Sequence, residues 1–309
     1  MDNQPSLPEY EDSKDQPLAP GLYLVATPIG NLEDITLRAL RVLRNCDRIA
    51  CEDTRQTRKL LNHFAISTPA ISCHEHNERE RAVELISAMR EGQRVALVSD
   101  AGMPGISDPG TWLVHAAVDA GVRVYPIPGA NAALTALVAS GLPTRSFRFL
   151  GFLPEKSGAR RTALEAIVAG LPVAADAAEP ETLIFYEAPH RILDTLQDMW
   201  ELWGDDLQVV VAREVTKLHE DFLRGKVSAV LQQLAAADRV RGEITLLVSA
   251  PQRTSAEVGQ DLIAALAGLQ SSEGLSEKDA LKQLARQSGR SKSELYRELQ
   301  RQRASSRTR

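Results

Sequence analysis

The sequence predicts an α/β protein, built as two α/β domains followed by a small C-terminal helical domain of helix-turn-helix type. Three observations carry this reading. Short apolar, β-branched runs alternate with helical patterns, which implies right-handed βαβ units and a mainly parallel sheet. The chain has 309 residues, more than the roughly 100–200 that one core usually organises. Near the C-terminus, two short helical patterns flank Gly289. The resulting division is an acidic, proline-bearing tail over 1–20, an N-terminal α/β domain over 21–141, a second α/β domain over 142–250, and a linker with a basic helical domain over 251–309.

In order, LYLVAT (Leu22 to Thr27), DRIACE (Asp47 to Glu52), PAISCH (Pro69 to His74), RVALVSD (Arg94 to Asp100) and VRVYPI (Val122 to Ile127) read as strands. Helical stretches near 34–45, 54–64, 77–91 and 110–120 separate them. The third is clearest, with Val83, Leu85, Ile86 and Met89 as its apolar stripe. After Gly141-Leu142-Pro143 come three more strands, Thr182 to Glu187, Leu207 to Glu214 and Glu243 to Ser249. Helices near 160–169, 190–203 and 226–237 lie among them, and 171–181 reads as a surface loop. In the last segment Ser276 caps a helix bearing Ala280, Leu281, Leu284 and Ala285. Gly289 ends it, and Ser291 starts a second helix bearing Leu295, Tyr296 and Leu299.

Composition excludes several classes. Hydrophobic residues make up 43% and charged residues 25%, an ordinary globular balance rather than a disordered one. No run of about 18 apolar residues is present, so no membrane span is expected, and the acidic start lacks the features of a signal peptide. Cys46, Cys51 and Cys73 match no zinc pattern and read as small buried apolar residues of a cytoplasmic protein. The net charge of −5 does not suggest a polyanion partner, but residues 276–309 hold ten Lys or Arg against four Asp or Glu.

The ligand crevice of a parallel sheet lies beyond the carboxyl ends of its strands. Five segments stand there: Thr27 to Asn31, Glu52 to Arg55, His74 to Glu78, Asp100 to Gly110, and Pro128 to Asn131. All are dense in glycine, proline or functional polar groups, and five such bends on one edge argue for a site. Common nucleotide-binding, hydrolytic and metal motifs are missing. No G-x-G-x-x-G follows the first strand, Glu155 stands where a phosphate loop needs glycine, and no nucleophile elbow or H-E-x-x-H helix occurs. His74 and His76 lack further metal ligands, so no metal is expected.

These segments resemble a known family. GLYLVATPIGNLEDITLRAL, CEDTR, HEHNE, VSDAGMPGISDPG, PIPGANA, GFLP, FYEAPHR, REVTK and RGEITLLV follow, in order, the pattern of the ribosomal RNA small subunit methyltransferase I family, within the tetrapyrrole methylase superfamily. The resemblance covers about residues 20–250, and the terminal hairpin is similar to that family's helix-turn-helix domain. It implies S-adenosyl-L-methionine as methyl donor, bound between two α/β domains. It implies 2′-O-ribose methylation of a cytidine, position 1402, in 16S rRNA of the small subunit, by a homodimer.

On that resemblance the donor pocket is expected to hold Pro28, Asp100, Gly102, Met103, Ile106, Pro128, Gly129 and Ala130, with Asp100 as polar anchor. Tyr186, Glu187 and Ala188, then Gly242, Glu243 and Ile244, complete it from the second domain, although Tyr186 reads equally well as core. Removal of the hydroxyl proton calls for a general base. His74, Glu75 and Glu187 are the candidates, and a buried structural histidine is the competing reading of His74. Arg55, Arg58, Lys59, Arg191, Arg213 and Lys217 are candidate RNA phosphate contacts, each of which reads alternatively as solvated surface charge. Two other functions fit parts of the pattern: a small-molecule tetrapyrrole methyltransferase, and a non-catalytic nucleic-acid-binding regulator. The basic hairpin and the His-Glu-His segment count against the first, and the clustered edge bends against the second.

Overall fold

Apolar runs too short for helices pair as strands in both halves of the chain. The computed structural model describes residues 17–171, 179–236, 238–251, 262, 265–271, 274–288, 295–297 and 299–300. In its first half, β1 (Gly21–Val25), β2 (Arg48–Cys51), β3 (Ala70–Ser72), β4 (Arg94–Val98) and β5 (Val124–Ile127) form a sheet of order β3-β2-β4-β1-β5. Every pairing in it is parallel. All five carboxyl ends therefore share one edge, as the alternation of strand and helix requires.

Short polar side chains start the helices between these strands. Thr36 accepts from Ala39 N at 3.0 Å ahead of α1 (Leu37–Asn45), and Asp53 accepts from Arg55 N at 2.8 Å ahead of α2 (Thr54–His63). In α3 (Glu78–Arg90) the apolar stripe is rotated from the expected one. Ala82, Leu85, Ala88 and Met89 are buried, whereas Val83 is 74% exposed. The cause is Glu78. Its buried carboxylate accepts from Leu113 N at 2.9 Å and so caps α4 (Thr111–Asp119), which has only Gly110 at its own N-cap.

The second half forms another sheet from β6 (Phe147–Phe152), β7 (Thr182–Glu187), β8 (Gln208–Arg213), β9 (Asp221–Lys226) and β10 (Ile244–Ser249), in the order β6-β7-β10-β8-β9. Only β6 and β7 pair in parallel; the other three pairings are antiparallel. Both edge strands escape the sequence pattern. β6 is partly exposed throughout and breaks register between Phe149 and Gly151, and β9 carries charges at the solvent edge. Helices α6 (Ser157–Ala169), α7 (Ile192–Trp203) and α8 (Val227–Ala235) cover one face around a core centred on Phe185, Leu196, Met199 and Val211.

The other face is closed by α5 (Ala132–Ser140), a helix that the sequence left unassigned because it is apolar all round. Its Ala133, Ala136 and Leu137 pack with Ile184, Val210, Ala212 and Leu247 of the second sheet, together with Ile29 from the loop after β1. This shared cluster joins the halves. The three cysteines are free and buried, and burial pushes the thiols of Cys46 and Cys73 up to about 12 and about 11. Near the C-terminus, Ser276 caps α9 (Glu277–Ser288), where Ser276 Oγ accepts from Asp279 N at 3.2 Å. Ala280, Leu281, Leu295 and Leu299 form a separate small core, while Tyr296 faces outward. Gly289, Ser291, most of the 1–20 tail and the middle of 171–181 lie outside the described residues. Among the described residues, no helix is long and apolar enough to cross a membrane.

Candidate functional site

Register brings the two halves to one cavity. Ile244 at the start of β10 pairs with Glu187 at the end of β7 and with Arg213 at the end of β8. Antiparallel pairing thus collects Glu187-Ala188, Glu214-Val215 and Gly242-Glu243 on a single edge of the second sheet. That edge faces the carboxyl edge of the first sheet across a cavity of about 400 Å³, the size range of small-molecule sites. Ile29, Met103 and Ile106 line it from the first half, and Phe152, Val215 and Ile244 from the second.

The long loop after β4 forms the floor. Thr27 and Gly102 exchange backbone hydrogen bonds of 2.9 and 3.1 Å, an isolated antiparallel bridge that ties this loop to the one after β1. Thr27 Oγ1 also donates to Ser99 O at 3.1 Å. Gly102 holds φ of +85°, which a side chain would strain, so the backbone itself faces the cavity there. Ser107 adopts φ of +59°, a left-handed conformation that costs energy for a residue with a Cβ. Asp108 follows it, half-buried against the cavity. Its carboxyl is pushed up to about 6 by burial first, then by the negative charge of Glu52 and Asp100, against an opposing hydrogen bond from Ser99.

A second cavity of about 610 Å³ adjoins the first and shares Ile29, Ala101 and Glu243 with it. Its walls include Gln56, Lys59, His63, Asp100 and Lys217. Lys217 Nζ lies 2.8 Å from Glu214 Oε1 and 3.1 Å from Glu243 Oε2. The hydrogen bond from Lys217 holds the Glu214 carboxyl below its ordinary value. Glu214 and Thr216 in this corner have φ of +50° and +69°, unusual for residues with side chains. Such strain persists where the surroundings over-determine it, and here it sits between the two cavities.

The residues singled out in the sequence separate into groups. Gly102, Met103, Ile106, Tyr186, Glu187, Ala188, Gly242, Glu243 and Ile244 line the first cavity. Pro28 and Asp100 line the second, where Asp100 Oδ1 accepts from Asp53 N at 3.3 Å. Pro128, Gly129 and Ala130 line neither cavity. Gly129 is packed on Ala26, 2.8 Å from where a Cβ would stand, and Ala130 is packed beside α5. His74 and Glu75 also line neither. His74 Nδ1 is buried with no hydrogen bond among the described residues, and its ring lies 5.9 Å from that of His76. The Glu187 carboxylate turns inward, accepting from Arg191 Nη2 at 2.6 Å, Ala188 N at 2.8 Å and Thr195 Oγ1 at 2.7 Å. Arg191 is thereby held inside, where it also donates to Leu153 O at 3.2 Å.

Among the other cations, Lys59 and Lys217 line the second cavity. Arg55 is 88% exposed and clasped by Asp53 at 2.8 Å, and Arg58 is exposed. Arg213 is half-buried, 3.8 Å from Asp221. Sequence reasoning missed Asp108, Phe152, Ile29 and Asn131 as cavity residues. Asp108 sits in S-D-P-G, which reads as turn chemistry and hides a carboxylate facing inward. Phe152 belongs to the unassigned edge strand. Among the described residues, no group of three His, Cys, Asp or Glu is placed to hold a metal ion.

Comparison with known proteins identifies the family. The model of the family Tetrapyrrole (Corrin/Porphyrin) Methylases matches residues 21–231. The chain is 49% identical over 280 residues to the ribosomal RNA small subunit methyltransferase I of Halalkalibacterium halodurans, across 89% of this chain and 93% of that one. Proteins of the same name from Mesorhizobium japonicum and Escherichia coli O157:H7 are 46% and 47% identical, across 92% and 81% of this chain and 92% and 84% of theirs. Among solved structures, diphthine synthase superposes with a TM-score of 0.57 at 15% identity, covering 77% of this chain and 92% of that one. The methyltransferase CobJ does so with a TM-score of 0.53 at 19% identity, covering 74% and 94%. These two likenesses concern the fold.

Proposed function

On the premise that the chain belongs to the tetrapyrrole methylases, and within them to the ribosomal RNA small subunit methyltransferase I family, we propose that it methylates the 2′-hydroxyl of a cytidine, position 1402, in 16S rRNA. The methyl donor is S-adenosyl-L-methionine. The observation that carries this reading is the pair of adjoining cavities, one apolar and acidic, one bearing lysines, joined at Ile29, Ala101 and Glu243. One suits a donor with a planar base and a positive charge, the other a polyanionic acceptor.

The first cavity fits the donor. Ile29, Ile106, Val215 and Ile244 offer apolar surface to a base and exclude water, and the bare backbone at Gly102 allows close approach. Among the described residues, no Lys, Arg or His lines it. When bound, the donor supplies an electrophilic methyl on a sulfonium sulfur. Everything else falls to the chain, and alignment is its main contribution, worth about 7–11 kcal/mol in favourable intramolecular systems. Lys59 attracts the phosphates flanking the target nucleotide into the second cavity, and Lys217 meets them only by giving up its exposed partner Glu243. Asp100, exposed on that wall, accepts the hydrogen bond of the arriving hydroxyl and aims its oxygen. Glu187, with both oxygens engaged, positions the Ala188 turn through Arg191 and Thr195. His74 and Glu75 stand further along the same sheet edge.

Outside the site, Arg55 and Arg58 extend the cationic surface from the second cavity along α2. Labour divides along 21–141, 142–250 and 251–309, the last adding RNA affinity through its basic sequence. The enzyme works in the cytoplasm as a homodimer. Leu134 and Val138, one turn apart on α5 and 48% and 76% exposed, offer apolar surface for a second copy. The deciding experiment is transfer of labelled methyl to small subunits from cells lacking this protein, with the modified nucleoside mapped. Label is expected on a cytidine ribose oxygen. Label on a base nitrogen, or none, overturns the reading.

A further inference from the structure

Resting on the donor-binding reading above, we propose that Asp108 is the counter-ion of the donor's sulfonium and selects the charged donor over its neutral thioether product. Three carboxylates line the first cavity: Asp108, Glu187 and Glu243. Glu187 is paired with Arg191 at 2.6 Å, and Glu243, largely exposed, shares Lys217 at 3.1 Å with Glu214. Asp108 alone of the three makes no ion pair among the described residues. The ionisable groups that act on it, Glu52 and Asp100, share its sign, and across the cavity its charge acts on the Tyr186 hydroxyl. A half-buried carboxylate with like-charged neighbours is unfavourable until a cation joins it. Ser107, next to Asp108 in the loop, has the unfavourable φ of +59°.

The aromatic residues of the same cavity suit a sulfonium. Phe152 and Tyr186 line it with ring centroids 5.6 Å apart, and Phe149 stacks edgewise behind Tyr186 at 4.9 Å. An ammonium needs several hydrogen-bond acceptors. A sulfonium donates none, and it is satisfied by one carboxylate and aromatic faces. Methyl transfer forms a carbon–oxygen bond as the carbon–sulfur bond breaks. Sulfur keeps the bonding pair and becomes neutral, and the hydroxyl proton leaves to solvent. The product therefore leaves Asp108 unpaired again, which favours release.

The test is calorimetric binding of S-adenosylmethionine and S-adenosylhomocysteine to the full chain and to Asp108→Asn. The wild-type protein is expected to prefer the charged ligand. The variant is expected to lose that preference through a tenfold to hundredfold weaker hold on the charged ligand, about the scale of a charged hydrogen bond, while the neutral ligand binds within about twofold. Equal loss for both ligands, or no change for either, overturns the proposal while leaving the donor site in place. Failure of the wild-type protein to bind either ligand overturns the donor site itself. The pH dependence of the unmutated protein is an independent check. The wild-type preference is expected to decline below about pH 6, where Asp108 takes up a proton. A preference that is flat between pH 5 and 8 counts against the assignment.

Discussion

The aliphatic stem of Lys217 lies directly over Gly30, so that a Cβ on residue 30 would stand 2.3 Å from Lys217 Cγ. This contact joins the loop after β1 to the strained corner after β8, beside the second cavity. Residue 30 also has φ of +151°, so Gly30→Ala adds backbone strain to a clash. A loss of about 1–3 kcal/mol is expected from urea denaturation. Truncating Lys217→Ala in the same chain removes the clash but keeps the strain. The double variant is therefore expected to cost less than the sum of the single ones, and strict additivity would show that the contact carries no coupling.

Glu187 and Arg191 form a nearly closed pair, with side chains 1% and 12% exposed and 2.6 Å apart. Removing one partner of such a pair leaves the other buried and uncompensated. Glu187→Gln is expected to lower stability by about 3–5 kcal/mol, read as a shift in the denaturation midpoint. Turnover per folded molecule, normalised to the folded fraction, should stay within a few-fold. An unchanged midpoint with abolished turnover would move Glu187 from positioning into the chemistry.

Arg58 and Lys59 are adjacent on α2, both exposed, and Lys59 lines the second cavity. Phosphate contacts show themselves in salt dependence. Arg58→Ala and Lys59→Ala are each expected to reduce the slope of log affinity against log salt by about 0.7–0.9, measured on small subunits by filter binding. A slope equal to that of the wild-type protein would class the side chain as bystander charge.

Most of the first sheet is legible in the sequence because its strands are apolar, central and separated by capped helices. Thr36 and Asp53 mark two of those starts. The second sheet is less so, for particular reasons. β9 reads D-F-L-R-G-K, the composition of an edge that resists further pairing, and β6 carries a bulge that breaks its alternation. α5 is apolar on every side, so no period distinguishes its faces, yet it is the helix that closes the second sheet. The site follows the same rule. Glycines and carboxylates in the bends point to one edge, but which side chains turn inward depends on φ at single residues. Asp100 and Asp108 belong to one loop, and Gly102, Gly105 and Ser107, all with positive φ, separate them into different cavities.

Asp108 also links donor binding to stability. Burial, then Glu52 and Asp100, raise its carboxyl to about 6 from an ordinary 3.8. The folded state thus holds the proton more tightly than the unfolded chain. The stabilising effect of that proton is complete below the ordinary value and is lost as pH rises through about 6. At neutral pH the donor-free protein carries an unfavourable charge that Asp108→Asn removes. The variant is therefore expected to melt higher than the wild-type protein at pH 7.5, by about 2–4 °C if roughly 1 kcal/mol survives solvent screening. The gap should close at pH 5. Saturating donor should reverse the order at pH 7.5, because only the wild-type carboxylate gains a partner. A variant that melts lower without donor at both pH values would show that Asp108 serves the loop's own structure instead.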